Sequence, residues 1–453
     1  MLLRYLAICD AITLMTTVTD KASLKLSLAQ LGPGLLMAGA AIGVSHLVQS
    51  TRAGAMYGWG ALIFVLLANL MKYPFYEYGH RYAAASGNNL IQAYRQQGKR
   101  FFIPFIVISA ISAVGSFAVD AFVAAMLLQY LYLPQVSETV LAIAVLLFCW
   151  LLIAIGRYRL FEQITKWCVI FLSIATVAAV VMAVSTALLP HPTVSELAAD
   201  ASWISTSSSV EVVYATNNRP NVFSWESVPF LVAFMGWMPG GLELSIWQSL
   251  WVQADGEDSG EQTSMASASF DFNFGYVLTV ALACLFLTLG TLTLPEQGMS
   301  AEPAAFAGQL VGMYTSYIGQ WAKPVIGLCA IAAIFSTTFT VVDAFPRTLE
   351  AGLHELWPAS KAIDFPIRQA IALTLIICAG LLLTLFTAGF EPLINTITII
   401  AFVAAPFYAW LNMRSIATLE AVAQPEPWLS ALALVGLVYL SGFSLLFAAL
   451  QFL

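Results

Sequence analysis

Eleven apolar runs, each about twenty residues or longer, divide this sequence from end to end: 32–56, 59–84, 101–132, 138–156, 160–189, 227–253, 266–294, 319–345, 366–387, 392–413 and 428–452. A helix needs about 20 apolar residues to cross hydrocarbon. Within hydrocarbon the backbone must satisfy its own polar groups, which leaves helices as the solution for runs of this length. Charged residues make up 9% of the chain, whereas a soluble domain carries about 25%. The expected partner is therefore the lipid bilayer, and the expected class is an all-α integral membrane protein. A net charge of −7 without a long basic run argues against a nucleic-acid partner. The six cysteines stand singly, without metal-finger or paired spacing, and read as small packing residues. Residues 1–30, too often interrupted by charge to span, read as a cytoplasmic lead-in and not as a cleaved signal.

Orientation follows from Lys and Arg. With the N-terminus inside, all but four of the eighteen fall on the inner side, the exceptions being Arg52, Lys72, Arg219 and Lys323. That bias predicts a multi-pass plasma (inner) membrane protein with its C-terminus outside. The segment 190–226 then forms a polar extracytoplasmic loop.

Two runs are interrupted. The first contains "AGAAIGVSHLVQ" (38–49), where Gly39 and Gly43 loosen the backbone and Ser45 and His46 lie at membrane depth. The sixth contains "FMGWMPGGLELS" (234–245), with Pro239, Gly240 and Gly241 in its middle. These runs hold corresponding places in two consecutive five-helix sets, 31–189 and 227–413, with 428–453 an added eleventh span. Interrupted spans at matching positions point to the substrate site of an inverted-repeat transporter.

At these residues the sequence resembles the NRAMP family of divalent-metal transporters. The likeness runs through "GPGLLMAGAAIG" (32–43), "STRAGAMYGW", "LLANLMKYP" (66–74) and "AAASG" (83–87), and returns at "MPGG" (238–241), "AAIFSTTFT" (332–340) and "AAPF" (404–407). The resemblance implies a LeuT-type 5+5 inverted repeat with discontinuous helices 1 and 6, working by alternating access and commonly coupled to protons. The departures are chemical. Family members carry Asp-Pro-Gly-Asn at the first break, and this chain has Gly43-Val44-Ser45-His46. The family's Met-Pro-His at the second break is Met238-Pro239-Gly240 here, and the acidic pair of span three is reduced to Asp120.

A dehydrated metal wants oxygen, nitrogen or sulfur ligands and usually a carboxylate. The metal alternative (Mn²⁺, Fe²⁺ or Mg²⁺) would rest on Met238, His46 and Glu243. An anion fits the altered break better. A broken helix presents free amides and the positive dipole end of its second half, and glycine lets a small ligand approach the backbone. The expected substrate-binding set is thus Gly43, Ser45, His46, Met238, Gly240 and Gly241, holding a compact anion such as bicarbonate or a short carboxylate. The resemblance to a divergent branch of the family leans to bicarbonate as well.

For coupling, the half-helix carbonyls near 41–42 and 235–237, with Ser336 and Thr337, form a candidate Na⁺ site, and Asp120, Glu243 or His46 are candidate H⁺ carriers. No cofactor is expected. Neither HExxH nor GxSxG occurs near the breaks, and no loop is long enough to fold as a sensor domain, which leaves the enzyme and sensor readings weak. Elsewhere, Lys72 could pair with Glu77 but their spacing of five is poor for one helix face, His80 and Arg81 are expected to snorkel, Asp343 to pair with Arg347, and Asp271 to be structural.

Overall fold

The computed structural model describes residues 32–156, 158–188, 219–294, 303–363, 365–386 and 389–451; the lead-in and most of the 190–226 loop lie outside them. Every regular element among the described residues is helical. Eight helical stretches there are long and apolar enough to cross a membrane, and Ile170–Ser185 is a shorter apolar one.

The first run is broken as its glycines suggest. Helix α1 (Pro33–Ala41) ends, the chain passes through Ile42 and Gly43, and a π-helical turn (Val44–Ser50) leads into α2 (Thr51–Tyr57). Gly58, at φ +59°, turns the chain directly into α3 (Leu62–Ser86) without a loop. The short α4 (Leu90–Gln96) follows, then α5 (Lys99–Leu131), α6 (Glu138–Ile155) and α7 (Tyr158–Leu188). The sixth run is likewise split, into α8 (Val228–Gly236) and α9 (Glu243–Ser259). The rest comprises α10 (Met265–Thr293), α11 (Pro303–Ile318), α12 (Lys323–Leu356), α13 (Ile367–Leu385), α14 (Phe390–Ile416) and α15 (Pro427–Leu450). All eleven apolar runs thus lie in helix, while α4 and α11 are additions that apolar length does not signal.

Helices in lipid gain little by burying apolar surface against each other, so association depends on close approach at small residues. Helix α10 packs against α1, α2 and α3 in this way. A Cβ on Gly34 would collide with the carbonyl of Asp271, one on Gly275 with that of Gly34, one on Gly54 with that of Leu287, and one on Gly290 with that of Thr51. The same device joins α3 to α9 at Gly79 and α8 to α14 at Gly236. Asp271 is structural, as its position near a span end suggests: its carboxylate accepts from the amides of Gly32 (3.2 Å) and Gly34 (2.6 Å), capping α1.

Helix α3 shows how the lipid face and the interior divide. Ile63, Leu66 and Leu70 are about half exposed along one stripe, and the opposite face buries Ala68, Asn69, Lys72 and Tyr76. This amphipathic split aims a lysine at the middle of the bundle.

Candidate functional site

The two breaks face each other across a cavity of about 50 Å³. At about 10–15 Å³ per water-sized occupant, it has room for an ion of a few heavy atoms. Ser45, Ser116, Asp120, Glu243 and Thr337, with the backbone of Gly240 and Gly241, supply its polar lining. Trp237, Trp247 and Phe345 supply much of the remainder, and the Trp247 and Phe345 rings meet edge to face with centroids 4.8 Å apart.

The carbonyl end of α8 is closed by a charge. Lys72 Nζ donates to Met235 O (2.7 Å), Gly236 O (2.8 Å) and Gly240 O (3.1 Å), so three ammonium protons meet three acceptors. Tyr76 Oη donates to Gly240 O (2.6 Å) and Gly241 O (3.1 Å). Both side chains are buried. The carbonyls offered by the sequence as part of a Na⁺ site on span six are therefore held by an internal cation.

The carbonyl end of α1 is closed by Thr337, whose Oγ1 approaches Gly39 O (3.2 Å) and Ile42 O (3.4 Å) from α12. Ser336, the other half of that expected pair, is buried but does not line the cavity. Gly43 sits so close to Thr337 that a Cβ there would collide with the threonine side chain. Gly43→Ala should therefore push Thr337 off both carbonyls and lower uptake of any substrate at least about tenfold, judging by the 1–3 kcal/mol typical of overpacking. Uptake by the variant at the wild-type rate would show that the contact is dispensable.

The amide end of α9 also carries its own ion. Glu243 is its first residue, its carboxylate folds back onto its own amide, and a Cβ on Gly241 would collide with Glu243 Oε2. The other oxygen, Oε1, is buried, forms no well-aligned hydrogen bond and has the Ser112 hydroxyl near it. Asp120 of α5 lines the same cavity.

Of the six expected substrate-binding residues, Gly43, His46 and Met238 do not line the cavity. Both ring nitrogens of His46 are engaged, Nδ1 with Ser45 Oγ (2.8 Å) and Nε2–H with Thr279 O (2.9 Å), and the ring is fully buried against α10. Its neighbour Ser45 does reach the cavity, with its hydroxyl 2.5 Å from Ala41 O and 3.3 Å from Pro239 O. Met238, preceding a cis proline, is fully buried and does not line the cavity. The metal set of Met238, His46 and Glu243 is therefore not assembled. No group of three or more His, Cys, Asp or Glu placed to hold a metal occurs among the described residues.

The sequence matches the family described as natural resistance-associated macrophage protein-like over residues 34–449. The chain belongs to the Nramp family. It is 34% identical over 445 residues to an uncharacterized protein of Pasteurella multocida, covering 97% of this chain and 96% of that one. Among solved structures it is similar to the Eremococcus coleocola manganese transporter in complex with an aromatic bis-isothiourea substituted compound. That match has a TM-score of 0.64 and 14% identity, over 94% of this chain and 87% of that one. It is also similar to Mhp1, a nucleobase-cation-symport-1 family transporter in a closed conformation, with a TM-score of 0.54 and 14% identity over 93% of each chain. At that identity the likeness is one of fold: this Nramp protein has the LeuT-type transporter architecture, with helices 1 and 6 discontinuous.

On one side of the cavity, Arg52 of α2 ties three elements together. It is ion-paired to Glu391 of α14, bonded to Gln49 (3.0 Å) and Asn395 (3.3 Å), and lies over the Phe230 ring of α8 at 5.6 Å. Lys72 and Glu77 do not pair, as their spacing of five suggests, since five residues on a helix do not share a face; Glu77 pairs instead with Arg81 at 2.8–2.9 Å. His80 does not snorkel: it is fully buried, bonded to Ser269 (3.1 Å) and stacked on Phe272. Asp343 and Arg347 pair at i,i+4 as their spacing suggests, at 2.9 Å.

Proposed function

We propose that this Nramp member is a secondary active transporter of a small anion, bicarbonate first, which binds between the breaks of spans one and six and crosses by alternating access. The observation that carries the reading is Lys72. Its ammonium is held on the break carbonyls, outside the cavity lining, in the low dielectric of the bundle, where Coulomb interactions are strong. A divalent cation arriving beside it would meet repulsion, whereas an anion meets a counter-charge. The small cavity and the glycine-lined backbone of 240–241 suit a compact anion that accepts from amides. Because side chains hold the carbonyl ends of α1 and α8, H⁺ is the better coupling ion than Na⁺, with Asp120 and Glu243 as its carriers.

The rival reading is divalent-metal transport, which the manganese transporter among the similar structures brings into view. Among the metal ligands expected from sequence, His46 is committed to Ser45 and Thr279 and Met238 lies outside the cavity, which leaves Glu243 alone of the three facing it. We further place the N-terminus in the cytoplasm, on the Lys and Arg bias, and read 31–189 and 227–413 as the two inverted repeats, with 428–453 outside them.

Proteoliposomes decide between the two substrates. Under alkaline conditions, where dissolved CO₂ is scarce, an inward bicarbonate gradient should change internal pH far faster than in protein-free vesicles, and Mn²⁺ should not accumulate. Mn²⁺ uptake without a bicarbonate response would overturn the anion reading.

A further inference from the structure

The break in span six holds an internal ion at each end, and the two differ in kind. Lys72 is saturated, with three donors on three carbonyls. Glu243 is not: one oxygen lies over Gly241 and its own N–H at the start of α9, and the other, buried, has only the Ser112 hydroxyl near it. The residue is 5% exposed, and what exposure it has is to the cavity. A carboxylate carrying two oxygens on one carbon has the shape and charge of the small anions proposed above, and it lies where such an anion would dock.

We propose that the Glu243 carboxylate is a tethered stand-in for the transported anion, holding the amide end of α9 until it takes a proton and yields the place. The inference rests on the anion reading and adds how the proton enters. When the anion arrives, Glu243 takes one proton from water in the cavity and turns from a charged acceptor into a neutral group. The anion then takes its contacts with the α9 amides. Glu243 and the anion together keep one negative charge throughout, facing the positive charge of Lys72, so the exchange adds no uncompensated charge in low dielectric. One H⁺ moves with one anion.

The groups around Glu243 leave it as the one placed for this role. From α3 it faces Lys72 and Tyr76, both committed to the break carbonyls, while Glu77 and Arg81 of that helix pair with each other. From α4 and α14 it faces Tyr94 and Tyr408; Tyr94 is bonded to Asn412 and Tyr408 to Ser109. From α5 it faces Ser112 and shares the cavity with Asp120, and on α12 the Asp343–Arg347 pair is closed on itself. Helix α1 brings no charged side chain to the cavity, only Ala40 and Ala41. Asp120 does not cover a helix terminus, so its protonation would not vacate an anion position.

The test uses the full-length protein in detergent, with the cavity residues Trp237 and Trp247 as fluorescent reporters and bicarbonate and formate as separate probes. For the wild type, the apparent Kd of both probes should rise with pH by up to about tenfold per pH unit, as linkage to one proton requires. Binding in weakly buffered solution should take up about one proton per anion. Glu243→Gln, a neutral isostere, should bind both probes at least as tightly as the wild type, with a flat pH profile and no proton uptake. A wild type that binds either probe without proton uptake overturns the inference and leaves the anion reading standing. So does a Glu243→Gln variant that keeps the wild-type slope. Should that variant fail to fold, proton uptake by the wild type decides alone. Failure of the wild type to bind either probe overturns both the inference and the reading beneath it.

Discussion

Replacing Lys72 with methionine should reduce bicarbonate uptake at least about a hundredfold while lowering thermal stability. The side chain fits the same space but removes three hydrogen bonds from a charged donor, each worth about 1.5–3 kcal/mol. Two of these at the low end, ~3 kcal/mol together, already correspond to a hundredfold change in an equilibrium constant. The carbonyls of Met235, Gly236 and Gly240 would be left without their cation, and the anion would lose its counter-charge. Lys72→Arg should rescue only in part, because a planar fork cannot converge on three carbonyls as an ammonium does. The contrast with Na⁺ coupling is informative. In Lys72→Met the vacated carbonyls resemble a cation site, so residual uptake should become stimulated by Na⁺, while the wild type is indifferent to it. Reconstituted vesicles with Na⁺ or choline outside make the comparison. Full uptake in the methionine variant would remove Lys72 from the mechanism.

The second large effect is steric. Gly236→Val should lower the melting temperature by several degrees and abolish uptake, because its Cβ would enter the backbone of Thr398 on α14. Overpacking ordinarily costs about 1–3 kcal/mol when side chains can yield, and here the obstacle is a main-chain carbonyl that cannot rotate away. Gly236 also supplies one of the carbonyls that hold Lys72, so displacement of α8 reaches the site directly. Gly290→Val, against Thr51 on α2, should behave in the same way. The internal control is Gly442→Ala on α15, where nothing lies within 4 Å of the added methyl. It should be neutral or stabilising by about 0.5–1 kcal/mol, the helix-propensity difference. A fluorescence-monitored melt of the three variants checks the ranking, and Gly236→Val melting with Gly442→Ala would contradict it.

The helices were legible because apolar run length is set by the bilayer and is written in consecutive residues. The breaks were legible because Gly43, Pro239, Gly240 and Gly241 stand where a helix would otherwise continue. Side-chain direction inside the bundle was harder. His46 looks available in sequence, yet its neighbours across space, Ser45 and Thr279, consume both nitrogens. Lys72 suggested a local partner at Glu77, while its real partners lie more than 160 residues away on another helix. The signal that could have found it is the stripe of Ile63, Leu66 and Leu70, which fixes the lipid face of α3 and sends Lys72 inward. Helix α4 also announced itself: Asn89 and Gln92 form a capping box at its start. Helix α11 has no comparable mark.

The reach of Lys72 bears on how the protein is made. Spans emerge in order, so span two must settle in the membrane before any carbonyl of span six exists. A lysine in mid-membrane disfavours insertion by about 2.5–3.5 kcal/mol. Until some 160 further residues have been synthesised, that burden has no native relief. The first five spans alone are therefore an incomplete piece of chemistry. Expressed as a fragment, they should be handed to quality control, and their lifetime should lengthen when the second half is supplied in trans.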